Sequence, residues 1–146
     1  NASACQLPDG IIFCKPELLC NLGCETPRIC DRYLGIDYQY FYAISSDVDG
    51  DNPGTLIKVD IYNKTKLTWC ENNVYPSEPI FISSPNPQSE DDGVILASMV
   101  WGHGEENRVG LLVLDAKTMT ELGRCEFNDL PSPAPKCLHG WFAPKK

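Results

Sequence analysis

An internal repeat constrains the fold of this chain more than any other feature of its sequence. The segments LIKVDIYNKTKLTWCE (residues 56–71) and LLVLDAKTMTELGRCE (residues 111–126) align without a gap at an offset of 55 residues, which matches Asp60 with Asp115. Each copy follows one plan: a strand, a polar loop with glycine, a strand that ends in Asp, a short turn and another strand. A period near 50 residues with antiparallel hairpins is typical of β-propeller blades.

The blade-like repeats extend over about residues 39–71 and 93–127, so the 146 residues contain material for about two blades. A propeller hides its sheet edges by circular closure, which takes roughly four to eight blades. Two blades alone would expose apolar faces unless they packed as an open sandwich. We therefore expect residues 1–146 to be the C-terminal part of a larger propeller domain, and the apolar, Pro-rich segment LPSPAPKCLHGW (130–141) to insert into that larger body.

Seven segments rich in Val, Ile, Leu and aromatic residues are bounded by Gly, Pro, Asn or Asp, and they predict strands. No segment shows a 3.6-residue apolar period of helix length, so we expect an all-β fold. The predicted strands are Tyr40–Ser46, Thr55–Tyr62, Lys66–Cys70, Pro79–Ser83, Gly93–Trp101, Val109–Asp115 and Glu121–Phe127.

The formal net charge of −8 argues against a nucleic-acid partner, because such a partner needs clustered Lys and Arg. No apolar run approaches the roughly 18 residues of a membrane-spanning helix. The sequence opens with neither Met nor a charged-then-apolar leader. A mature secreted protein and a piece of a longer protein both fit this beginning.

Eight cysteines leave two alternatives open. No CxxC pair is present, so a structural zinc site is not expected. The even count and the sequons at Asn1 and Asn63 fit a secreted, disulfide-bonded β-sandwich that binds a partner without catalysis. Strands as apolar as GVILASMV (93–100) do not need covalent staples, however, and they favour reduced, intracellular cysteines that pack as small buried hydrophobes.

Two histidines are candidates for metal binding. His139 lies in PKCLHGWF (135–142), between a leucine and a Gly-Trp-Phe run, and is either a packed terminal residue or a ligand of iron, zinc or copper. His103 lies in the charged, glycine-flanked GHGEEN (102–107), where we expect it to be solvated. One imidazole does not make a metal site, so any other ligands of His139 must come from elsewhere.

Two glutamates have apolar and proline neighbours: Glu25 in CETPRI (24–29) and Glu78 in YPSEPIF (75–81). A charge beside the apolar run that follows Glu78 must be paired or hydrogen-bonded to be tolerated. Acceptance of the free N–H of a metal-bound imidazole would meet that need and would fix the tautomer of the ring. Exposure at a strand edge is the alternative for both residues.

The acidic turn SEDDGVIL (89–96) could suggest calcium through Glu90, Asp91 and Asp92. Three adjacent acids without an alternating ligand pattern make a poor calcium cage. We expect a solvated turn. The sequence contains neither a Ser/His/Asp set nor a phosphate-cradling glycine loop.

The sequence resembles the carotenoid cleavage oxygenases through four motifs that occur in order: YPSEPIF, EDDGVILASMVWG, LLVLDAKTMTELGRCEF and PKCLHGWF. Within that family it is similar to the animal group of β-carotene oxygenases, the retinal-pigment-epithelium isomerohydrolase and the insect carotenoid isomerooxygenases. The resemblance covers about residues 20–142, which is most of the chain.

This resemblance implies a seven-bladed propeller with Fe(II) on its axis, held by four histidines, three of which hydrogen-bond to glutamates. His139 matches the last iron ligand, in a terminal segment 131–142, and Glu78 and Glu25 match two of the glutamates. The other three ligands have no counterpart here, and His103 matches none. The resemblance implies no catalytic acid or base among these residues, and a chain with one ligand of four is expected to be inactive alone.

The activity that the resemblance implies is cleavage of a carotenoid double bond by O₂ into two aldehydes, with retinal as the product of central cleavage. Some insect members couple cleavage to trans-to-cis isomerisation, and an isomerohydrolase acting on retinyl esters is the enzymatic alternative. The implied partners are a carotenoid or retinoid and O₂. The implied location is cytoplasmic, with peripheral membrane contact left open for the full-length protein.

Overall fold

The computed structural model describes residues 2–45 and 54–143, and all regular structure there is extended except for one 3₁₀ turn at Asp31–Tyr33. The prediction of an all-β fold is confirmed. The strands are β1 Ser3–Gln6, β2 Ile12–Lys15, β3 Glu25–Arg28, β4 Tyr40–Ile44, β5 Thr55–Asp60, β6 Thr65–Cys70, β7 Val74–Pro76, β8 Ile80–Ser83, β9 Gly93–Trp101, β10 Val109–Asp115 and β11 Glu121–Phe127.

The strands form two blade-like antiparallel sheets and a separate hairpin. Sheet 1 has the order β3-β4-β5-β6, and sheet 2 has the order β11-β10-β9, with β7 and β8 sharing the next position along β9. β1 and β2 form the hairpin. In both sheets the chain visits the strands in spatial order, which is how a propeller blade is built. The structure therefore agrees with the predicted blade architecture.

The two copies of the repeat form the hairpins β5–β6 and β10–β11. We call the edge of each sheet formed by β6 or β11 its outer edge, and the opposite edge, formed by β3 or by β7 and β8, its inner edge. The turns of the two outer hairpins are alike. The Asp60 carboxylate accepts the backbone N–H groups two and three residues further on, at 3.0 and 2.9 Å, and the Asp115 carboxylate does the same at 2.9 and 2.8 Å. The residue four positions after each aspartate has a positive φ, 53° at Lys64 and 58° at Met119. The shared Asp thus encodes one turn geometry twice.

The main apolar core lies between the two sheets. Alternate residues of β4, β9 and β10 face it, as expected for pleated strands, and the ring of Tyr42 stacks on that of Phe81 with centroids 5.5 Å apart. Its buried members are Tyr42, Ile44, Leu56, Val74, Ile95, Ala97, Met99, Trp101, Leu112, Leu114, Ala116 and Met119. A smaller cluster on the opposite face of sheet 1 contains Phe41, Ala43, Ile57 and Val59.

A buried ion pair also joins the sheets. Lys58 on β5 and Asp91 before β9 are 5% and 8% exposed, and their Nζ and Oδ2 atoms lie 2.6 Å apart. The Lys58 ammonium also donates to the carbonyl of Lys117 at 3.1 Å and lies 4.2 Å from the ring centroid of Tyr40. Burial opposes ionisation of Asp91, but hydrogen bonds from Lys58 and Ser89 outweigh burial and lower its pKa below the ordinary value.

The acidic turn around Asp91 is therefore not solvated, and that prediction is wrong. The Glu90 carboxylate accepts the backbone N–H groups of Gln39 and Tyr40, where β4 of the other sheet begins, at 2.8–3.0 Å. Asp92 accepts hydrogen bonds within its own turn, from the Ser84 hydroxyl at 2.9 Å and the backbone N–H of Gln88 at 2.8 Å. The partners of Glu90 lie far away in sequence, so the local pattern could not show them.

The cysteines do not pack as small core residues, with one exception. Cys30 is 2% exposed, Cys20 is half-buried, and the other six are exposed. No disulfide is present within residues 2–45 and 54–143. The expectation of buried cysteines is therefore wrong for most of them.

Four short strands were not predicted from the sequence: β1, β2, β3 and β7. β3 and β7 each contain a proline, which normally argues against a strand, and both lie at the inner edge of a sheet. Ser46 and most of the loop 46–54 fall outside the described residues. No helix in the part of the chain that the structure describes is long and apolar enough to cross a membrane.

Candidate functional site

The candidate site lies at the inner edges of the two sheets, where both inner strands contain one extra residue. In sheet 1, Glu25 and Arg28 are three positions apart but pair with residues of β4 that are two apart. In sheet 2, Pro76 and Ile80 are four positions apart but pair with residues of β9 that are three apart. Such β-bulges redirect a side chain from the regular alternation and are common beside active sites. In sheet 2 the bulge contains Glu78.

Glu78 is buried, with its side chain 3% exposed, and four hydrogen-bond donors surround its carboxylate. Oε1 accepts from Nε of Arg28 at 2.8 Å and lies 3.2 Å from Nδ1 of His139. Oε2 accepts from Nη2 of Arg28 and from the backbone N–H of Gly140, both at 3.0 Å. Burial opposes ionisation, but the hydrogen bonds from Arg28, Gly140 and His139 outweigh it and lower the pKa of Glu78 below its ordinary value.

The imidazole of His139 is held on one side and open on the other. An ionised carboxylate can only accept a hydrogen bond, so the ring nitrogen that faces Glu78, Nδ1, carries the proton in the neutral imidazole. Nε2 is then unprotonated and available to a metal. The His139 side chain is 66% exposed, so Nε2 is accessible within this chain.

The terminal segment brings His139 from the outer edge of sheet 2 back to its inner edge. After β11, the backbone N–H groups of Leu130 and Ala134 donate to the carbonyls of Asn107 and Glu106 at 3.0 and 3.2 Å. The segment then reaches Glu78 through the backbone of Gly140. A Cβ at Gly140 would lie 2.6 Å from Cδ1 of Ile80, so glycine permits this close approach.

The structure does not bring Glu25 to His139. Its side chain is exposed and makes no hydrogen bond within residues 2–45 and 54–143. The next residue, Thr26, has a φ of 49°, which is strained for a β-branched side chain, and its buried hydroxyl lacks a partner among the described residues. Within the described residues Glu25 is thus exposed at a strand edge, which is the alternative that the sequence left open for it.

His103, the other histidine, lies in the exposed loop between β9 and β10, where its Nε2 is 3.3 Å from the Tyr75 hydroxyl. Nowhere among the described residues do three or more His, Cys, Asp or Glu side chains gather as a metal site. A carboxylate-oriented imidazole is nevertheless how proteins prepare a histidine for a metal. The His139–Glu78 pair thus fits one arm of a transition-metal site.

Arg28 is the residue of this site that the sequence analysis missed. It lies 50 positions before Glu78, on the inner strand of the other sheet. Nothing in CETPRI indicates its partner. The only available signal was that the Glu78 carboxylate, if buried, would need a compensating charge.

The family model for the retinal pigment epithelial membrane protein (RPE65) matches residues 4–144. The carotenoid isomerooxygenase of Drosophila melanogaster is 68% identical over 144 residues, which cover 98% of this chain and 23% of that protein. The β,β-carotene 15,15'-dioxygenase of Gallus gallus is 41% identical over 147 residues, which cover 99% of this chain and 26% of that protein. The chain thus spans about a quarter of the curated relatives it matches.

Solved structures show the same fold. A Trp-to-Ala variant of the Synechocystis apocarotenoid oxygenase superposes with a TM-score of 0.73 at 24% identity, over 90% of this chain and 27% of that one. The cobalt-substituted form of that oxygenase superposes with a TM-score of 0.72 at 24% identity, over 92% of this chain and 28% of that one.

Proposed function

This chain belongs to the RPE65 family of carotenoid oxygenases, and on that premise we propose that it is the C-terminal part of an enzyme that cleaves a carotenoid double bond with O₂. The observation that carries the proposal is the contact of 3.2 Å between Nδ1 of His139 and Oε1 of the buried Glu78. Such a pair orients an imidazole for metal binding. The oxygenase reaction that we propose from the family requires a metal.

In this proposal His139 is one of four histidines that hold Fe(II), and the other three lie outside these residues. Fe(II) supplies the redox chemistry by which O₂ converts one carbon–carbon double bond into two aldehydes. A polyene offers no acidic proton and no carbonyl, so acid–base side chains would contribute little. The task of this chain is to hold the ligand: Glu78 fixes the tautomer of His139 and directs Nε2 away from the protein.

Glu25 has the same role in the proposal as Glu78, toward a histidine that this chain does not contain. Its exposure at the inner edge of sheet 1 leaves the carboxylate available to such a partner. With one ligand of four, residues 1–146 alone are inactive and bind iron weakly.

Two proposals refine the activity. The relatives from Drosophila melanogaster and Galleria mellonella, 68% and 58% identical, are both named carotenoid isomerooxygenases, which supports cleavage coupled to trans-to-cis isomerisation. A retinoid isomerohydrolase is the alternative within the family. Products separate them, because cleavage of a carotenoid gives an aldehyde and hydrolysis of a retinyl ester gives an alcohol. Family membership argues against the third alternative, a disulfide-bonded binding module.

We propose a cytoplasmic location for the full-length protein and leave peripheral membrane contact, through segments outside this chain, as an open alternative. A relative in Homo sapiens that is 41% identical is named a mitochondrial carotenoid-cleaving dioxygenase, so this location needs its own experiment. Fractionation of cells that express the full-length protein tests it. Recovery with mitochondria would contradict the proposal.

The decisive experiment compares the full-length protein with its His139→Ala variant. We expect iron binding and release of aldehyde from β-carotene to fall by roughly 100-fold or more, because a ligand is lost. The control is His103→Ala, which should retain the parent activity. Undiminished iron content and cleavage in His139→Ala would refute the assignment of His139. Stoichiometric iron and turnover in the 146-residue chain would refute its inactivity.

A further inference from the structure

We propose that Arg28 is a positioning residue for the Glu78–His139 pair, and this inference rests on the proposed function. Arg28 does not reach His139 itself. Its guanidinium contacts both oxygens of the carboxylate that does, so its effect on the imidazole would pass through Glu78.

The geometry of the carboxylate supports this role. The two hydrogen bonds from Arg28 approach Oε1 and Oε2 as a fork, at 2.8 and 3.0 Å, and a fork fixes the plane of a carboxylate as a single donor cannot. With the plane fixed, Oε1 faces Nδ1 of His139 and Oε2 faces the backbone N–H of Gly140. One side chain therefore orients both contacts that the carboxylate makes with the terminal segment.

The location of Arg28 is as informative as its geometry. Arg28 ends the inner strand of sheet 1, whereas Glu78 lies in the bulge of sheet 2. The paired contact between Arg28 and Glu78, called the clamp below, therefore couples the inner edges of the two sheets where the segment that contains His139 contacts Glu78. A cleft of about 240 Å³ follows this seam, lined by residues 28–32 and 80–83 and by 140–142.

Stability alone does not account for the pair. Replacement of a buried ion pair by apolar residues is often neutral, so such pairs are weak evidence for a stabilising role. The side chain of Glu78 is 3% exposed, whereas that of Arg28 is 36% exposed. Burial of the Glu78 carboxylate carries a desolvation cost that an apolar side chain at this position would not have. What the ion pair provides is a carboxylate of fixed orientation.

The experiment measures iron affinity and the visible absorption bands of the cobalt-substituted full-length protein for Arg28→Gln, Arg28→Lys and Glu78→Gln. We expect Arg28→Gln to weaken iron binding about tenfold and to shift the cobalt bands, because the imidazole loses its fixed orientation. Arg28→Lys restores the charge but not the fork, so we expect only partial recovery. If Arg28→Gln does not fold, Arg28→Lys decides the outcome.

The matched control is Arg124→Gln. Arg124 also makes paired contacts with carboxylates, those of Glu71 and Glu121, but on the outer strand β11. We expect its loss to leave the iron affinity and the cobalt bands unchanged. Since Arg28 is proposed to act through Glu78, the double variant Arg28→Gln/Glu78→Gln should bind iron no more weakly than Glu78→Gln alone.

The outcomes separate the two proposals. If Glu78→Gln weakens iron binding and Arg28→Gln does not, Arg28 is only a structural residue and the proposed function stands. Full recovery in Arg28→Lys would refute the role of the fork. If Glu78→Gln leaves iron binding unchanged, the assignment of the His139–Glu78 pair fails, and the inference about Arg28 fails with it.

Discussion

The outer hairpins of sheet 1 and sheet 2 are alike, whereas the inner edges of the two sheets differ. Both hairpins turn on an aspartate, Asp60 or Asp115, with the same backbone contacts and the same positive φ. At the inner edges, Glu78 is buried among four donors, whereas Glu25 is exposed. The outer part of each sheet is thus determined by the repeat, and the inner part by the site that the strands serve.

Within the repeat itself, the first strands of the two copies also differ in what their side chains face. Lys58 in sheet 1 matches Val113 in sheet 2, and Leu56 matches Leu111. Leu56 is fully buried against sheet 2, whereas Leu111 is 41% exposed on the far face of sheet 2. Equivalent positions therefore face a neighbour in one sheet and none in the other, as expected of blades cut from a larger ring.

The largest expected effect tests the Lys58–Asp91 ion pair, since Lys58 has no charged counterpart in sheet 2. Lys58→Met in the full-length protein leaves Asp91 buried without its cation, which should lower the free energy of unfolding by about 3–5 kcal/mol. Denaturant unfolding followed by tryptophan fluorescence measures the loss. Lys64→Met, which removes an exposed ammonium paired with Glu17, is the control and should cause little change. Equal losses in the two variants would contradict a special role for Lys58.

The next effect compares the inner edges. We expect Glu78→Gln and Glu25→Gln each to weaken iron binding roughly 10- to 100-fold in the full-length protein, because each carboxylate is proposed to orient a ligating imidazole. Only Glu78→Gln should also lower the melting temperature, since of these two glutamates it is Glu78 that is buried against a cation. Metal titration and calorimetry measure the two quantities. Parent-like iron affinity in Glu25→Gln would show that the two inner edges differ in function as well as in structure.

A smaller effect tests the likeness of the outer hairpins. Asp60→Ala and Asp115→Ala each remove the acceptor of two backbone N–H groups, which should cost about 1 kcal/mol and speed local amide exchange roughly fivefold. Hydrogen exchange at the two turns measures this, and each variant is the control for the other turn. Strongly unequal effects would break the equivalence of the two copies.

The smallest effect is the acid dependence of the contact between the sheets. Because the folded-state pKa of Asp91 is lowered, the Lys58–Asp91 contact stabilises the protein above the ordinary Asp pKa of about 3.9. That contribution is lost as the pH falls through the folded-state value. Asp91→Asn should therefore flatten the fall of stability below about pH 4. Unfolding curves at several pH values measure it, and an unchanged slope would contradict it.

Sequence analysis predicted the parts of the fold that are encoded locally. The bounds of Gly93–Trp101, Val109–Asp115 and Glu121–Phe127 match the observed strands, because alternation and turn residues mark both ends. β3 and β7 were missed because each is short and contains a proline. Their pairing comes from β4 and β9, which lie later in the sequence.

The candidate site was predictable only in part. The apolar and proline neighbours of Glu78 indicated a carboxylate that needs a partner, but the identity of that partner was open between a histidine and solvent. Arg28 was invisible because its contact with Glu78 spans 50 positions and two sheets. The same limit hid the partners of Glu90 and Asp91, since sequence patterns report local periodicity and not contacts between sheets.

The clamp between Arg28 and Glu78 restricts how a protein of this kind can evolve. Simple repeat arrays gain and lose units readily because each unit touches only equivalent neighbours. Here, a duplicated unit inserted between the two sheets would separate the Arg28 guanidinium from the Glu78 carboxylate and would leave Glu78 and His139 paired without it. Selection on the clamp would thus act against any change in repeat number at this junction, while it leaves the outer loops free to vary in length.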